Sequence, residues 1–483
     1  MPLLEFVGQT VQDGDNIQAN ASRLINCHRQ LVLGQGKTRY TLNSVLGQDL
    51  ADDIGAYEVR TMGYGNQKTW LVGNGLLYEL AANGVLTSKG SVADDPLTLI
   101  DGNYSDVTIT AGGNYYVWDG ATVSQPANKT FASVGSHCYV GGYTVLTERD
   151  GKRFQWSGLA DAQTLDALHF ASAEQVDDNI VHAIELGGNL VLLGEKSTEL
   201  WQVTGQSGVN AFARVTSFNR GLKGFHLIAR FDNTAMFVGD DNNVYIGFGP
   251  GAIDVSTPAI NTALENNEAS RCIFYEDQGH KFFAITFSDR PAFVFDVRMK
   301  EWHERAEGAN DGPWRALASV KTGEGWFIGN DDGEVHKLAR TNKDLNGPLR
   351  RTAISSPLYL GDRKFKVNKV EMNARVGAVE VTEAPAYALD VGGGFALKLG
   401  TGQALKVAEG TGAPRAAKIG LQESRDGGNT WGDVKERSLG MSGDYDQRMI
   451  WRSRGHFNEY TVRVTIDEPA DIPLNTTAVV EVI

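Results

Sequence analysis

The sequence predicts an all-β chain. Three observations carry that expectation. Glycine is abundant, at 56 residues, and proline scarce, at 13, as a chain of many tight turns requires. Short apolar runs alternate with glycine- or Asn/Asp-bearing turns from about residue 60 onward. The charge is uneven. The total is −14, yet residues 340–483 carry about twenty Lys and Arg against about eighteen Asp and Glu, so the first 339 hold all of the negative excess and two regions with different surfaces are expected. At 483 residues there is room for two or three domains, or for one large repeat domain and a smaller one.

The recurring unit is an apolar strand, a polar or glycine turn and a returning apolar-aromatic strand. It occurs at Leu71–Tyr78, Tyr115–Gly120, Val145–Phe154, Leu190–Val203, Phe237–Tyr245, Ala292–Asp296 with Trp302, and Phe327–His336. A small sheet cannot bury both faces alone, so such units stack around an axis, as in a β-propeller. About 290 residues at ~40–45 per four-stranded blade give roughly six or seven blades. A sandwich or an irregular solenoid is the alternative arrangement.

The expected order is residues 1–60 as a lead-in segment that closes the propeller, 61–341 as the propeller, and 348–483 as a smaller C-terminal β domain. Residues 342–348 read as the linker. Ser256–Leu264 reads as a short helix, with a hydroxyl cap, an early proline and Ile260 and Leu264 on one face. An insertion is expected at about 380–415. There Leu389, Leu397 and Leu405 recur every eight residues between glycine-rich turns, forming a tongue of short strands that needs a partner to cover it. Arg350-Arg351 and Arg363–Lys369 are basic strands, read as a solvated edge or as a face for nucleic acid or an acidic partner.

Cys27, Cys138 and Cys272 lie far apart in the sequence, which fits buried thiols in a reducing compartment and no disulfide framework. No signal peptide and no apolar run long enough to span a bilayer are read. The acidic balance, with a pI of about 5.2, argues against gripping phosphate, while an acidic wall would let DNA slide past.

Catalytic patterns are wanting. Gly34–Thr38 resembles part of a P-loop, but the required first glycine falls on Leu31. The Asp-rich turns at 240–243 and 330–334 lack EF-hand spacing and read as turn formers. The nine histidines form no zinc pattern, and nothing in the sequence pairs Glu195 or Glu199 with Asp177-Asp178 as an acid and nucleophile. No catalytic residue, cofactor or metal is expected.

One stretch is more specific. Asp166-Ala-Leu-His-Phe170-Ala-Ser-Ala-Glu174 precedes Gly194-Glu195-Lys-Ser197-Thr198-Glu199-Leu-Trp201-Gln-Val-Thr-Gly205. The second part reads as a hairpin with a hydroxyl-rich turn, Leu200 and Gln202 facing one way and Trp201 and Val203 the other. The order of these residues resembles the packaged-DNA stabilisation proteins of short-tailed bacteriophages, which form the tail hub or nozzle. Ser22–Cys27 is similar to the same family's opening segment, with its Arg-x-x-Asn core. A second run, Ile419–Trp431 with Asp426, Gly428 and Trp431, then Ser438–Tyr445, Arg448–Gly455 and Tyr460–Pro469, resembles the C-terminal β domain of such proteins.

The resemblance implies a structural, non-enzymatic virion protein, made in the host bacterial cytoplasm. It implies a ring, typically of six copies, beneath the portal and adaptor rings. That ring extends the DNA channel without sequence-specific contact, retains packaged DNA, and carries tail spikes, fibres or a needle. Arg448, Arg452 and Arg454 are possible interface residues beside a solvated-face reading, as are the tongue leucines. Ser424–Trp431 also fits the Asp-box turn of sialidases. A receptor-binding or glycan-degrading propeller is therefore the alternative.

Overall fold

Two-residue turns with both residues at positive φ close several of the hairpins. Asn74-Gly75 (φ 53° and 64°) and Gly187-Gly188 (57° and 81°) supply the backbone twist that matches the flanking strands. The computed structural model describes residues 3–5, 22–31, 40–174, 176–248, 251–308, 310–345, 347–359, 361, 363–374, 381–382, 414–440, 447–468, 473–475 and 477–482. Its hairpins assemble into four-stranded antiparallel blades spanning 59–91, 99–124, 134–172, 180–218 and 228–254 (blades one to five). Blade six spans 269–307, and blade seven joins three strands of 316–339 to Gly47–Asp53. Six of these sheets stand alone; blade six continues into a larger sheet.

The blades bury each other. Trp70 and Leu77 of blade one pack on Ile109 and Trp118 of blade two, with the two indoles 4.6 Å apart. Equivalent apolar clusters fill the following junctions, and Phe327 and Val335 of blade seven meet Val59 and Leu71 of blade one. The circle is thus closed, with the outer strand of the last blade donated from near the N-terminus.

Between blades five and six lies the helix Pro258–Asn266. Its cap is Thr257, whose hydroxyl accepts from the Ile260 amide (3.5 Å), and Ile260, Ala263 and Leu264 are buried.

The described strands from Arg23 to Ser44 belong to the C-terminal sandwich. Arg23–Ile25 pairs in parallel with the outer strand of blade six (Ile25 beside Glu304) and antiparallel with Arg351–Ile354. Through Glu459–Ile466, Ala417–Ser424 and Lys435–Gly440 the same sheet becomes one layer of the sandwich. Cys27–Leu31 and Tyr40–Ser44 join the other layer, which also holds Phe365–Ala374, Gln447–Phe457 and Thr477–Val482. Asn26 (φ 57°) turns the chain from one layer to the other. Its amide donates to Glu304 O (2.9 Å), its Nδ2 donates to Arg350 O (2.8 Å), and its Oδ1 accepts from Ala306 N (2.9 Å). Arg23 donates two hydrogen bonds to Glu304, at 2.8 and 2.7 Å. Propeller and sandwich are therefore joined by continuous sheet. Val381–Thr382 pairs with Pro414–Arg415; the expected tongue between them, with Leu389, Leu397 and Leu405, lies outside the described residues, as does Gly34–Thr38.

Candidate functional site

The expected hairpin is Asn189–Gly194 with Thr198–Val203, the middle two strands of blade four. Trp201 and Val203 pack on blade three, against Phe154 and Trp156 among others, while Leu200 packs toward blade five. The alternation read from the sequence thus faces two neighbouring blades.

The turn itself is a clip. Asp178 accepts from the Lys196 and Ser197 amides (2.8 and 2.9 Å) and from the Ser197 hydroxyl (2.9 Å). Gly194 is required because a Cβ there would stand 2.4 Å from Asp178 Oδ2. The Gly194 carbonyl accepts from Leu222 N (2.9 Å), and Thr198 Oγ1 donates to Arg220 O (2.7 Å). Both reach into the connection to blade five, where a Cβ on Gly221 would lie 2.0 Å from the Glu195 carbonyl oxygen. Glu199, 2% exposed, accepts from the Trp201 indole (2.9 Å). Gly205 takes φ 77° at the hairpin exit. Glu195 is exposed and receives Asn179 Nδ2 at 3.3 Å, and Asp177 pairs with Lys152. These carboxylates serve backbone and ion-pair roles, and among the described residues no His/Cys/Asp/Glu group could hold a metal.

The first half of the motif sits elsewhere, on Asp161–Ser172, the outer edge strand of blade three. Phe170 faces Gln155 and Leu165 faces Ser157, so Asp166–His169 arch out opposite the single residue Trp156. Asp166 Oδ1 caps the Leu168 amide (2.9 Å), and Gln155 Nε2 donates to Asp166 O (3.0 Å). The His169 ring lies flat over Trp156 (centroids 6.2 Å, 10° between planes). Leu168 at the tip is 68% exposed and Phe170 is 44% exposed; Glu174 beyond the strand is exposed. A bulge that re-aims a side chain at a sheet edge is a built feature, and no composition or periodicity signal announced it.

In the sandwich, the Asp-box-like turn is closed on itself. Asp426 accepts from the Ser424 and Thr430 hydroxyls (2.6 and 2.5 Å) and the Thr430 amide (2.9 Å). Those bonds, the Ser424 hydroxyl first, hold its carboxyl down to about 2. Gly428 takes φ 101° and donates to Ser424 Oγ (2.8 Å). Trp431 lies under the Arg463 guanidinium (4.4 Å). The three arginines separate. Ser453 (φ 57°) breaks the alternation, so Arg454 turns inward to Glu423 and Tyr460 does the same. Arg448 reaches Glu371 (2.6 Å) on the outer face, and Arg452 is exposed.

The Asp-rich turns likewise bond their own backbone. Asn330 Oδ1 accepts from Asp332 N and Glu334 N (3.0 and 2.8 Å), and Asp241 Oδ1 accepts from Asn243 N (3.1 Å). Cys27, Cys138 and Cys272 are free and buried.

The remaining concavity is the propeller axis. All seven inner strands line a bore of about 350 Å³. One mouth is crossed by residues 93–98. Pro96 O accepts from His226 Nε2 (2.7 Å) and Arg271 Nη2 (3.3 Å) on the far side. Asp95 anchors this strap through Gly112 N (2.8 Å) and Arg149 (3.0 Å), and Asp94 pairs with Arg60 (2.8 Å).

The bacteriophage P22 Gp10 β-propeller family matches residues 39–343, and the bacteriophage P22 Gp10 β-sandwich family matches residues 396–479. No curated protein matches the chain. Among solved structures, YCF48 from Cyanidioschyzon merolae is similar at 11% identity and a TM-score of 0.43, over 61% of this chain and 99% of that one. A crystal structure of the mitotic checkpoint complex contains a chain similar at 10% identity and a TM-score of 0.42, over 65% of this chain and 96% of that one.

Proposed function

Because this chain belongs to the bacteriophage P22 Gp10 family, the tail-hub proteins that stabilise packaged DNA, we propose that its copies close into a ring whose lumen lies between subunits and not through the propeller. The observation that carries this is the bore. Its free volume is only about 350 Å³ within the ring of seven inner strands, too little for a duplex whose major groove alone is about 12 Å wide, and the 93–98 strap crosses one mouth.

A ring of six, as the resemblance implies, would sit beneath portal and adaptor rings and carry spike, fibre or needle proteins. Repeated interfaces would supply its strength. The propeller's acidic excess suits a wall past which DNA moves without sequence-specific contact. The role is structural, with no reaction assigned. Synthesis in the host cytoplasm precedes incorporation in the virion; no described helix is long and apolar enough to cross a membrane. The single Asp-box-like turn offers a glycan-cleaving reading no support, since its carboxylate is engaged within the turn.

Electron cryo-microscopy of intact tails tests the placement. Propellers arranged around the tail axis with their bores off it are expected; a propeller bore coaxial with the genome, or a peripheral position at the fibre tips, would overturn it.

A further inference from the structure

A ring built head to tail needs two different, complementary surfaces on each copy. Two surfaces on this chain have no partner among the described residues. The first is the arched edge strand of blade three. Leu168 and Phe170 are exposed on a bulge that Gln155 hydrogen-bonds at Asp166 O and whose His169 ring stacks on Trp156. The Trp156 indole also donates to Gly208 O (3.1 Å), placing exposed Val209 beside the same bulge. Around this apolar knob are Asp161, Asp166 and Glu174, all exposed.

The second surface is the outer face of the sandwich layer formed by Phe365–Ala374 and Gln447–Phe457. The register puts Lys366 beside His456, Lys369 beside Arg452, and Asn373 beside Arg448, while the alternate residues Val367, Val370, Met372, Met449 and Trp451 are buried. Glu371 answers Lys369 (3.1 Å) and Arg448, and Glu481 stands opposite Lys369 in the next strand. Lys366 and Arg452 remain as exposed cations on this face, with exposed Arg363 and Lys364 just before the first strand.

We propose that the acidic, leucine-tipped edge of blade three in one copy docks on this basic sandwich face of the next copy. The proposal rests on the ring reading above. A preformed apolar anchor gives affinity at small ordering cost. Opposite charges around it set orientation and exclude the like-faced contact. Exposed and without a partner among the described residues, the bulge then has an occupant of matching chemistry supplied by the same sequence.

The test uses three full-length variants: Leu168→Asp; Asp166→Lys with Glu174→Lys; and Lys366→Glu with Arg452→Glu. Light-scattering mass is followed over concentration, and thermal melting controls for folding. Each variant alone is expected to weaken self-association ~30-fold or more, the scale of losing a central anchor. Mixing the two charge-reversed variants one to one restores assembly, because each then meets the other's matching surface, whereas Leu168→Asp is not rescued. Normal assembly of the charge-reversed and Leu168→Asp variants would overturn the docking and leave the hub reading standing. A wild-type chain monomeric at every concentration would overturn the ring itself. A face-reversed variant that assembles normally but loses duplex DNA binding would assign the basic face to DNA and overturn the proposal.

Discussion

The two halves of one sequence motif meet opposite fates. In the blade-four clip, Gly194, Ser197, Thr198 and Glu199 find partners within the chain, and Trp201 is buried. Blade three ends at Ser172, ahead of the Asn189–Gly194 and Thr198–Val203 pair, and on its edge strand Asp166–Phe170 hold an apolar tip out in solvent. Motif residues can therefore serve folding or contact, and burial with satisfied hydrogen bonds separates the two. Substitutions in the clip should cost stability first; substitutions at the knob should leave the single chain intact.

The sharpest separation comes from Trp201→Ala. It removes an indole packed between blades three and four and leaves the buried Glu199 carboxylate without that donor, so a loss of about 3–5 kcal/mol is expected in denaturant melts. Asn26→Ala extends the comparison to the propeller–sandwich junction. It forces alanine into the left-handed region and removes two side-chain hydrogen bonds at a residue only 1% exposed. About 3 kcal/mol is expected, with propeller and sandwich losing their common transition.

Acid should attack the same buried class. Burial holds His28 and His182 down to about 4 and His137 to about 3. For His28 the neighbouring His280 and Arg340 add to the lowering, and Asp296 opposes it. These rings are neutral in the fold, while the unfolded chain takes up protons near pH 6.5. Stability is therefore full above about 6.5 and falls as pH drops toward 4, by on the order of 1 kcal/mol per unit for each histidine. His137→Gln should flatten the slope of melting temperature against pH.

Asp178→Ala, which frees the clip's amides near the surface, is expected to cost about 1–2 kcal/mol. Smallest is Leu168→Asp, within about 0.5 kcal/mol of wild type in the unassembled chain. A large loss there would mean that the knob is part of the core and would erase the distinction.

Local chemistry was legible. Glycine- and Asn/Asp-bearing turns marked hairpins, Ser256–Leu264 marked the helix, and the alternation of Leu200, Trp201 and Val203 marked which sides are buried. Non-local pairing was not. Arg23–Ile25 and Tyr40–Ser44 are short and weakly patterned, and their partners, Glu304 and Leu474, stand hundreds of residues away. Arg23 and Asn26 matched the family's opening pattern, yet only the pairing with Glu304 and Arg350 O explains them. The blade-three arch also left no trace, since four residues opposing one breaks the alternation that sequence reading depends on. Arg454 was misleading for a similar reason: one left-handed residue, Ser453, turns it inward to Glu423.

A tail-hub protein that stabilises packaged DNA should be needed to keep the genome inside the particle. The direct measurement is DNA retention in particles assembled without it. Such particles are expected to package their genome and then leak it, with retention restored when the wild-type chain is supplied. Particles that keep their DNA but fail to adsorb to cells would instead place the chain at the receptor-binding periphery.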